Sequence, residues 1–137
     1  MLLSQSARYA LRAAIYLAKR DGEWHLSHEI AASLGVPAQY LAKILKDLTR
    51  HGVLTSTRGR GGGFRLAHPA GQIDLLRVVQ AIDVQRFDKH CVLGLPDCSD
   101  ERPCVLHESW SHLRDEILRM LKDTYLSDLS RGHPLRA

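Results

Sequence analysis

Three cysteines carry the most distinctive chemistry of this 137-residue chain. Cys91, Cys98 and Cys104 share one stretch rich in Gly, Pro and Asp, and an odd number of cysteines argues against a disulfide framework. Thiolates are soft ligands for zinc and for iron–sulfur clusters, but three of them need a fourth donor. His107 lies three residues after Cys104, on the same face if a helix begins there, and is the candidate fourth ligand.

The spacing of the cysteines leaves three kinds of site open. The pattern is C-x6-C-x5-C, whereas structural zinc sites usually contain a closely spaced cysteine pair. Wide intervals suit a loop that wraps a larger object such as an iron–sulfur cluster. A structural zinc ion held by three cysteines and a histidine is one alternative, and a thiol redox switch without metal is another.

Basic side chains in the N-terminal half suggest a second site, for nucleic acid. Residues 1–68 hold ten Lys/Arg and four Asp/Glu, a net charge of +6, and residues 69–137 hold nine and eleven, a net charge of −2. A basic half joined to a mildly acidic half indicates that one part meets a polyanion.

A helix-turn-helix is predicted within this basic half. An amphipathic helix over residues 4–19 precedes a short helix that Ser27 caps and that Gly35 ends in the left-handed conformation. Pro37 suits the first position of a third helix, which ends at His51-Gly52. Two helices joined by so short a turn form a helix-turn-helix candidate.

The third helix is the predicted recognition helix. Its first turn would present Ala38, Gln39 and Tyr40 to the major groove. Gln39 can pair with adenine, Tyr40 can reach a phosphate or a thymine methyl, and Lys43 can reach a guanine or a phosphate. The remaining basic residues of this helix are assigned to phosphates, and they are Lys46 and Arg50.

A β-hairpin, or wing, is predicted directly after the recognition helix. Residues 53–57 and 64–67 are β-prone, and the run between them is Arg-Gly-Arg-Gly-Gly-Gly. Glycine permits the positive φ of a tight tip. Arg58 and Arg60 at that tip suit a narrow minor groove.

The C-terminal half is predicted to hold a sensing loop and a dimerisation helix. Asp74 caps a fourth helix, and residues 84–103 form a long loop, which needs an organising reason. A last helix from about Cys104 to Leu129 carries apolar residues in steps of four and three, typical of a dimer seam, with packing on its own first helix as the alternative. The seam residues are Leu106, Trp110, Leu113, Ile117, Met120 and Thr124.

The predicted fold class is mainly α, a winged helix-turn-helix with a long C-terminal dimerisation helix and a cysteine-bearing loop. The predicted units are residues 1–83 for DNA binding, 84–107 for the loop, 104–129 for the dimer helix and 130–137 for a frayed tail.

Several function classes are disfavoured by the sequence. No apolar run approaches the ~18 residues of a membrane span, and no signal peptide is visible, so we expect a cytoplasmic protein without a membrane partner. The glycine run lacks the Lys-Ser/Thr ending of a phosphate-binding loop, and no nucleophile–base pair stands out, so we do not expect an enzyme. An iron–sulfur electron-transfer or enzyme module remains the alternative outside gene regulation.

Nearly end to end, the sequence resembles the IscR/NsrR-type family of bacterial iron–sulfur winged-helix repressors. Arg8-Tyr9-Ala10, the string from Arg58 to Phe64 and the cysteine triplet carry the resemblance. It implies a homodimer on pseudo-palindromic double-stranded promoter DNA, with a cluster that reports iron–sulfur, iron, oxygen, nitric oxide or redox status.

The resemblance also implies a ligand set. Cys91, Cys98 and Cys104 match the cluster ligands, and His107 matches the fourth ligand of the [2Fe–2S] branch. The nitric-oxide-sensing branch holds a [4Fe–4S] cluster with an Asp ligand where this chain has Arg8, so the resemblance favours [2Fe–2S], with [4Fe–4S] as the alternative. The first cysteine interval is one residue longer than in common members. Ala42 replaces a Glu that some members carry in the recognition helix, so the operator cannot be borrowed from a relative.

Overall fold

Residues 3–20, 22–83, 91–93 and 99–130 are described by a computed structural model of the chain. The fold is mainly helical with one small sheet. In chain order its elements are α1 (Gln5–Ala18), α2 (Ser27–Leu34), α3 (Ala38–Arg50), β1 (Leu54–Thr57), β2 (Gly63–Leu66), a 3-10 turn (Ala70–Gln72), α4 (Leu75–Ile82), α5 (His107–Asp123) and α6 (Leu126–Ser130).

Helix α1 lies at the centre of the core. The Oγ of Ser4 accepts from the backbone N–H of Ala7 at 3.0 Å and caps the helix. Small side chains let neighbouring helices approach closely, and α1 packs against α2, α3, α4, α6 and β2. The alanines with no exposed surface are Ala7, Ala10, Ala13 and Ala14.

The helix-turn-helix is confirmed, with two corrections at its caps. Gly35 ends α2 at φ 68° in the left-handed region, as predicted. Ser27 is not the cap but the first helical residue, because Leu26 takes the cap position without a side-chain hydrogen bond. Pro37 is the cap of α3 rather than its first residue, and its extended conformation closes the turn. The Nη2 of Arg12 donates to the carbonyl of Leu34 at 2.8 Å, so α1 holds the end of α2.

The buried face of α3 and the wing follow the expected patterns. Leu41, Ile44, Leu45 and Leu48 are buried beneath α3, which leaves its opposite face outward. Strands β1 and β2 are antiparallel, with Leu54 opposite Leu66. Extended backbone at His25 adds to this ribbon, because its N–H and carbonyl both bond to Phe64, at 3.0 and 2.8 Å.

The last helix differs from the prediction. It begins at His107 rather than Cys104 and ends at Asp123, and a separate α6 follows. The carbonyl of Thr124 accepts from Leu75 N–H at 2.9 Å, and the N–H of Leu126 donates to the carbonyl of Ile73 at 2.9 Å. These long-range bonds take the backbone groups that a continuous helix would need, so the helix breaks at residues 124–125.

This break divides the predicted apolar seam. Leu126 is fully buried, so α6 belongs to the winged-helix core. Trp110 is buried and Ile117 packs against the core, whereas Leu113 and Met120 are 56% and 58% exposed. One part of the seam is therefore covered within the chain, and another part is not. Among the described residues, no helix is both long and apolar enough to cross a membrane.

Candidate functional site

The exposed face of α3 and the wing lie on one side of the molecule. All eight residues predicted to bind DNA are exposed: Ala38, Gln39, Tyr40, Lys43, Lys46, Arg50, Arg58 and Arg60. A cleft of about 570 Å³ separates the second half of α3 from the wing, and Lys46, Arg50 and Arg58 are among its lining residues. The fold thus gathers cations from two separate elements around one groove.

Polar residues that the sequence analysis missed also line this cleft. Ser27 and His28 lie in the first turn of α2, and Thr49, Ser56 and Thr57 face the cleft from α3 and β1. Small hydroxyl side chains and backbone N–H groups at a helix start are typical phosphate contacts. Their sequence signal is weak, because only the tertiary arrangement of α2 beside the wing brings them to the groove.

The wing tip depends on glycine. Gly59 and Gly61 have φ 92° and 73°, and the N–H of Gly62 donates to the carbonyl of Gly59 at 3.1 Å. Side chains other than hydrogen are strained at such angles. The tip therefore places Arg58 and Arg60 on a narrow ribbon with no bulky neighbour in the turn.

The basic residues of the N-terminal half divide into structural and outward-facing groups. The guanidinium of Arg65 lies 4.1 Å from the ring centroid of Trp24, and that of Arg20 lies 3.7 Å from that of Tyr16. Arg12 caps α2, as described above. Part of the +6 charge therefore holds the fold together, while Lys46, Arg50 and Arg58 line the groove.

Two of the predicted DNA contacts already have partners within the chain. Arg50 Nη2 lies 2.6 Å from Asp47 Oδ1, an exposed pair one turn apart on α3. Such surface pairs are worth only about 0–1 kcal/mol, so a phosphate can replace the carboxylate at little cost. Tyr40 has two partners within the chain, because its hydroxyl hydrogen-bonds with Ser6 and its ring meets Tyr9 edge-on, with centroids 5.7 Å apart.

The cysteine region brings two of its three thiols together. The sulfur atoms of Cys91 and Cys104 lie 3.8 Å apart, and both residues are partly buried. No disulfide joins them at this separation, since a disulfide needs about 2.05 Å. The backbone N–H of Leu93 points at the sulfur of Cys91, at 3.4 Å. Cys98 lies outside the described residues.

His107 lies at the start of α5, next to this pair in sequence. Its Nε2 lies 2.8 Å from the Oδ1 of Asp100, and its backbone N–H donates to the carbonyl of Cys104 at 3.0 Å. In the described part of the chain, no group of three or more His, Cys, Asp or Glu residues has the arrangement of a metal site.

The donor set nevertheless fits a metal at the thiol pair. Two sulfurs bound to one tetrahedral metal at about 2.3 Å lie roughly 3.8 Å apart, which matches the observed separation. An N–H aimed at a sulfur is the kind of contact that tunes iron–sulfur sites. The pair formed by Cys91 and Cys104 is therefore compatible with two ligands of one iron or one zinc.

A helix-turn-helix followed by an arginine-tipped ribbon defines a winged-helix DNA-binding protein. Comparison with known proteins agrees with this class. The chain belongs to the Rrf2 family of iron-dependent transcriptional regulators, whose model matches residues 3–132. It is a transcriptional regulator, not an enzyme.

Individual relatives match over nearly the whole chain. The HTH-type transcriptional regulator IscR of Photobacterium profundum is 32% identical over 135 residues, which covers 97% of this chain and 77% of that protein. The protein rrf2 of Nitratidesulfovibrio vulgaris is 31% identical over 136 residues, covering 98% and 91%.

Among solved structures, CymR, the global cysteine regulator of B. subtilis, superposes with a TM-score of 0.78 at 26% identity, covering 93% of this chain and 95% of that one. IscR of T. potens gives 0.73 at 23% identity, covering 93% and 84%, which speaks to the fold alone.

Proposed function

We propose that this regulator binds double-stranded promoter DNA as a homodimer and holds an iron–sulfur cluster through Cys91, Cys98, Cys104 and His107. The observation that carries the cofactor assignment is the 3.8 Å separation of the Cys91 and Cys104 sulfurs. When bound, the cluster supplies redox or ligand-sensitive chemistry. A [2Fe–2S] cluster suits three thiolates and one imidazole, and [4Fe–4S] is the alternative. As a reader of promoter DNA, the protein would work in the cytoplasm.

Asp100 supports the assignment of His107. A histidine that binds a metal usually donates its other ring N–H to a carboxylate, which orients the ring and sets its tautomer. A hydrogen bond from His107 Nε2–H to Asp100 leaves Nδ1 as the lone-pair nitrogen of the neutral ring. In this proposal Nδ1 is the metal-binding atom, and Asp100 is a positioning residue.

The DNA assignment rests on the groove between α3 and the wing. Gln39, with Ala38, faces base edges, and Lys43, Lys46 and Arg50 contact bases or phosphates along α3. Arg58 and Arg60 enter the minor groove of the DNA, next to the major groove that α3 contacts. Tyr40, also assigned to DNA, keeps part of its ring exposed, at 37%, for contact with a sugar or a thymine methyl.

A homodimer would cover the apolar residues that α5 and the preceding turn leave outside. Val105, Leu106, Leu113 and Met120 are 92%, 42%, 56% and 58% exposed. A second copy of the same face would bury them and would place two recognition helices on one pseudo-palindromic site. Sedimentation equilibrium should show a dimer that Leu113→Asp dissociates, whereas Asp115→Asn, an exposed change on the opposite face of α5, should leave the dimer intact. A monomeric wild type would overturn this part of the proposal.

Anaerobic purification tests the cofactor. We expect iron and sulfide in equal amounts and visible absorption bands of a cluster, with Mössbauer spectra fixing its nuclearity. His107→Ala should shift these spectra, and Asp100→Asn should shift them less. Glu101→Gln, next to Asp100, is the control that should change nothing. A chain that carries zinc alone, or an unchanged spectrum for His107→Ala, would contradict the ligand set.

Selection of duplexes from a random library tests the DNA function and supplies an operator. We expect a pseudo-palindromic sequence whose affinity falls steeply with salt, because several cations displace counterions from phosphates. Affinity for the selected duplex that is equal to that for random DNA would contradict a sequence-specific regulator.

The same thiol pair supports a second candidate, a metal-free redox switch. One peroxide molecule would oxidise the thiols of Cys91 and Cys104 to a disulfide, taking two electrons and two protons and leaving two waters. The sulfurs must close from 3.8 Å to about 2.05 Å, a small movement. Peptide mapping of iron-free protein after peroxide treatment should then find a Cys91–Cys104 crosslink that has lost two hydrogens, and its absence would remove this candidate.

A further inference from the structure

The chain that enters the cysteine region is attached to the start of α1. Asp83 ends α4, where its N–H donates to the carbonyl of Val79 at 2.9 Å. It is also the last described residue before Cys91. Its Oδ1 accepts from the Oγ of Ser4 at 2.6 Å. Since Ser4 also caps α1, a displacement of Asp83 acts directly on the first turn of that helix.

The same turn of α1 touches the recognition helix. The hydroxyls of Ser6 and Tyr40 are hydrogen-bonded, and the ring of Tyr9 meets that of Tyr40 at an interplanar angle of 85°. Tyr40 is the third residue of α3 and follows Gln39 directly. Tyr40 therefore fixes the turn of α3 that presents side chains to bases, which the sequence analysis did not foresee.

A cavity lies among these contacts. Its volume is about 270 Å³, and the residues of both hydrogen bonds line it: Ser4 with Asp83, and Ser6 with Tyr40. Lys43, on the outward side of α3, also lines it. A space of this size leaves room for the Tyr40 ring and the outward-facing side chains of the first turn of α3 to shift. The inward side of the helix is fixed, because Leu41 and Leu45 are fully buried.

We propose that the Asp83–Ser4 and Ser6–Tyr40 hydrogen bonds form a relay that carries the state of the cysteine region to the DNA-reading turn of α3. In this relay Tyr40 is a positioning residue, whatever contact its exposed edge makes with DNA. Both hydrogen bonds are exposed, so water can replace either partner at small net cost. The arrangement with these bonds made is therefore close in free energy to the arrangement with them broken. This inference rests on the proposed function, because it requires that the cysteines alter DNA affinity.

A double-mutant cycle on the full chain tests the relay. The first measurement is the affinity ratio between wild type and the variant with all three cysteines changed to serine, on the selected duplex at fixed salt. Allosteric couplings commonly amount to about 5- to 150-fold, and we expect a ratio in that range. When Tyr40→Phe or Asp83→Ala is present in both proteins, the ratio should fall by about fivefold or reach one.

Matched controls separate the relay from general damage. Tyr16→Phe removes a hydroxyl from the same helix α1, and Asp115→Ala removes an exposed carboxylate from α5; both should leave the ratio unchanged. Amide hydrogen exchange gives a second readout that does not depend on DNA binding. In a chain that keeps Asp83, replacing the cysteines with serine should speed amide exchange in residues 38–44. In the Asp83→Ala chain the same replacement should leave the exchange unchanged.

The outcomes distinguish the two proposals. A cysteine-dependent ratio in wild type that persists in Tyr40→Phe and Asp83→Ala would overturn the relay and leave the proposed function standing. If wild type and the cysteine-to-serine variant bound the duplex equally, whatever the metal or redox state of the cysteines, cysteine-dependent regulation would be overturned, and the relay with it.

Discussion

The DNA-reading half and the cysteine-bearing half differ in what holds their functional side chains. Beneath the recognition helix, Leu41, Leu45 and Leu48 have no exposed surface, and the wing root bonds to His25. In contrast, none of the described residues 91–93 and 99–106 is buried, and their backbone bonds are short-range turns. The first site is therefore organised by the core, whereas the described part of the second lies outside the core and includes the thiol pair and the His107–Asp100 contact. A bound ligand would supply the missing free energy.

The largest expected effect concerns the boundary between the halves. Leu126→Ala should lower the free energy of unfolding by about 2–5 kcal/mol, because Leu126 is fully buried and its truncation leaves a cavity. Urea denaturation followed by circular dichroism measures this. Leu113→Ala, at 56% exposure, is the matched control and should cost less than about 0.5 kcal/mol at low protein concentration. Equal losses would show that α6 contributes no more to the core of one chain than the exposed face of α5 does.

The wing root should be the next most sensitive point. A Cβ at Gly63, where φ is 135°, would lie 2.3 Å from the carbonyl oxygen of His25. Gly63→Ala should therefore cost at least about 2 kcal/mol, from strain and from the loss of the bridge to β2. Gly59 also has a positive φ, 92°, but a Cβ there would meet only open space. Gly59→Ala should therefore lower the free energy of unfolding by only about 1 kcal/mol. Thermal unfolding of both variants compares them, and a smaller loss for Gly63→Ala would contradict the close approach.

Arg58 tests whether the groove reads DNA as assigned. Arg58→Ala should weaken operator binding about tenfold and reduce the salt slope by about one. Arg65→Ala removes an arginine from the same ribbon, but one that stacks on Trp24, so it should cost stability and leave the salt slope unchanged. Fluorescence anisotropy across a salt series measures both. An unchanged slope for Arg58→Ala would remove the wing tip from the interface.

The smallest expected effect is on the stability of the cysteine-bearing half. In iron-free protein, Cys104→Ser should change the free energy of unfolding by less than about 0.5 kcal/mol, because the region contributes little to the core. The same variant purified anaerobically should lose its iron. A loss of more than about 2 kcal/mol of unfolding free energy in iron-free Cys104→Ser would show that the two halves share one cooperative core.

Much of the fold could be read from local patterns. Gly35, the apolar spacing of α3 and the glycine run of the wing each act within a few residues of their own position, so the helix-turn-helix and hairpin were predictable. The break at Thr124 was not, because the backbone groups there bond to Ile73 and Leu75, about fifty residues away. The caps at Leu26 and Pro37 shifted by one residue, which is the usual error of boundaries read from a sequence.

The candidate sites show the same division. Residue types and their spacing singled out the cysteines, His107 and the arginines of the wing as candidates, since thiolates are soft metal ligands and a basic surface suits a polyanion. The sequence could not place Ser27, His28 or Thr57 in the groove, nor show that Tyr40 is bonded to Ser6. The identity of the chemical groups was thus determined by the sequence itself. Their partners were decided only by the tertiary structure, because hydrogen bonds and burial join side chains that are far apart along the chain.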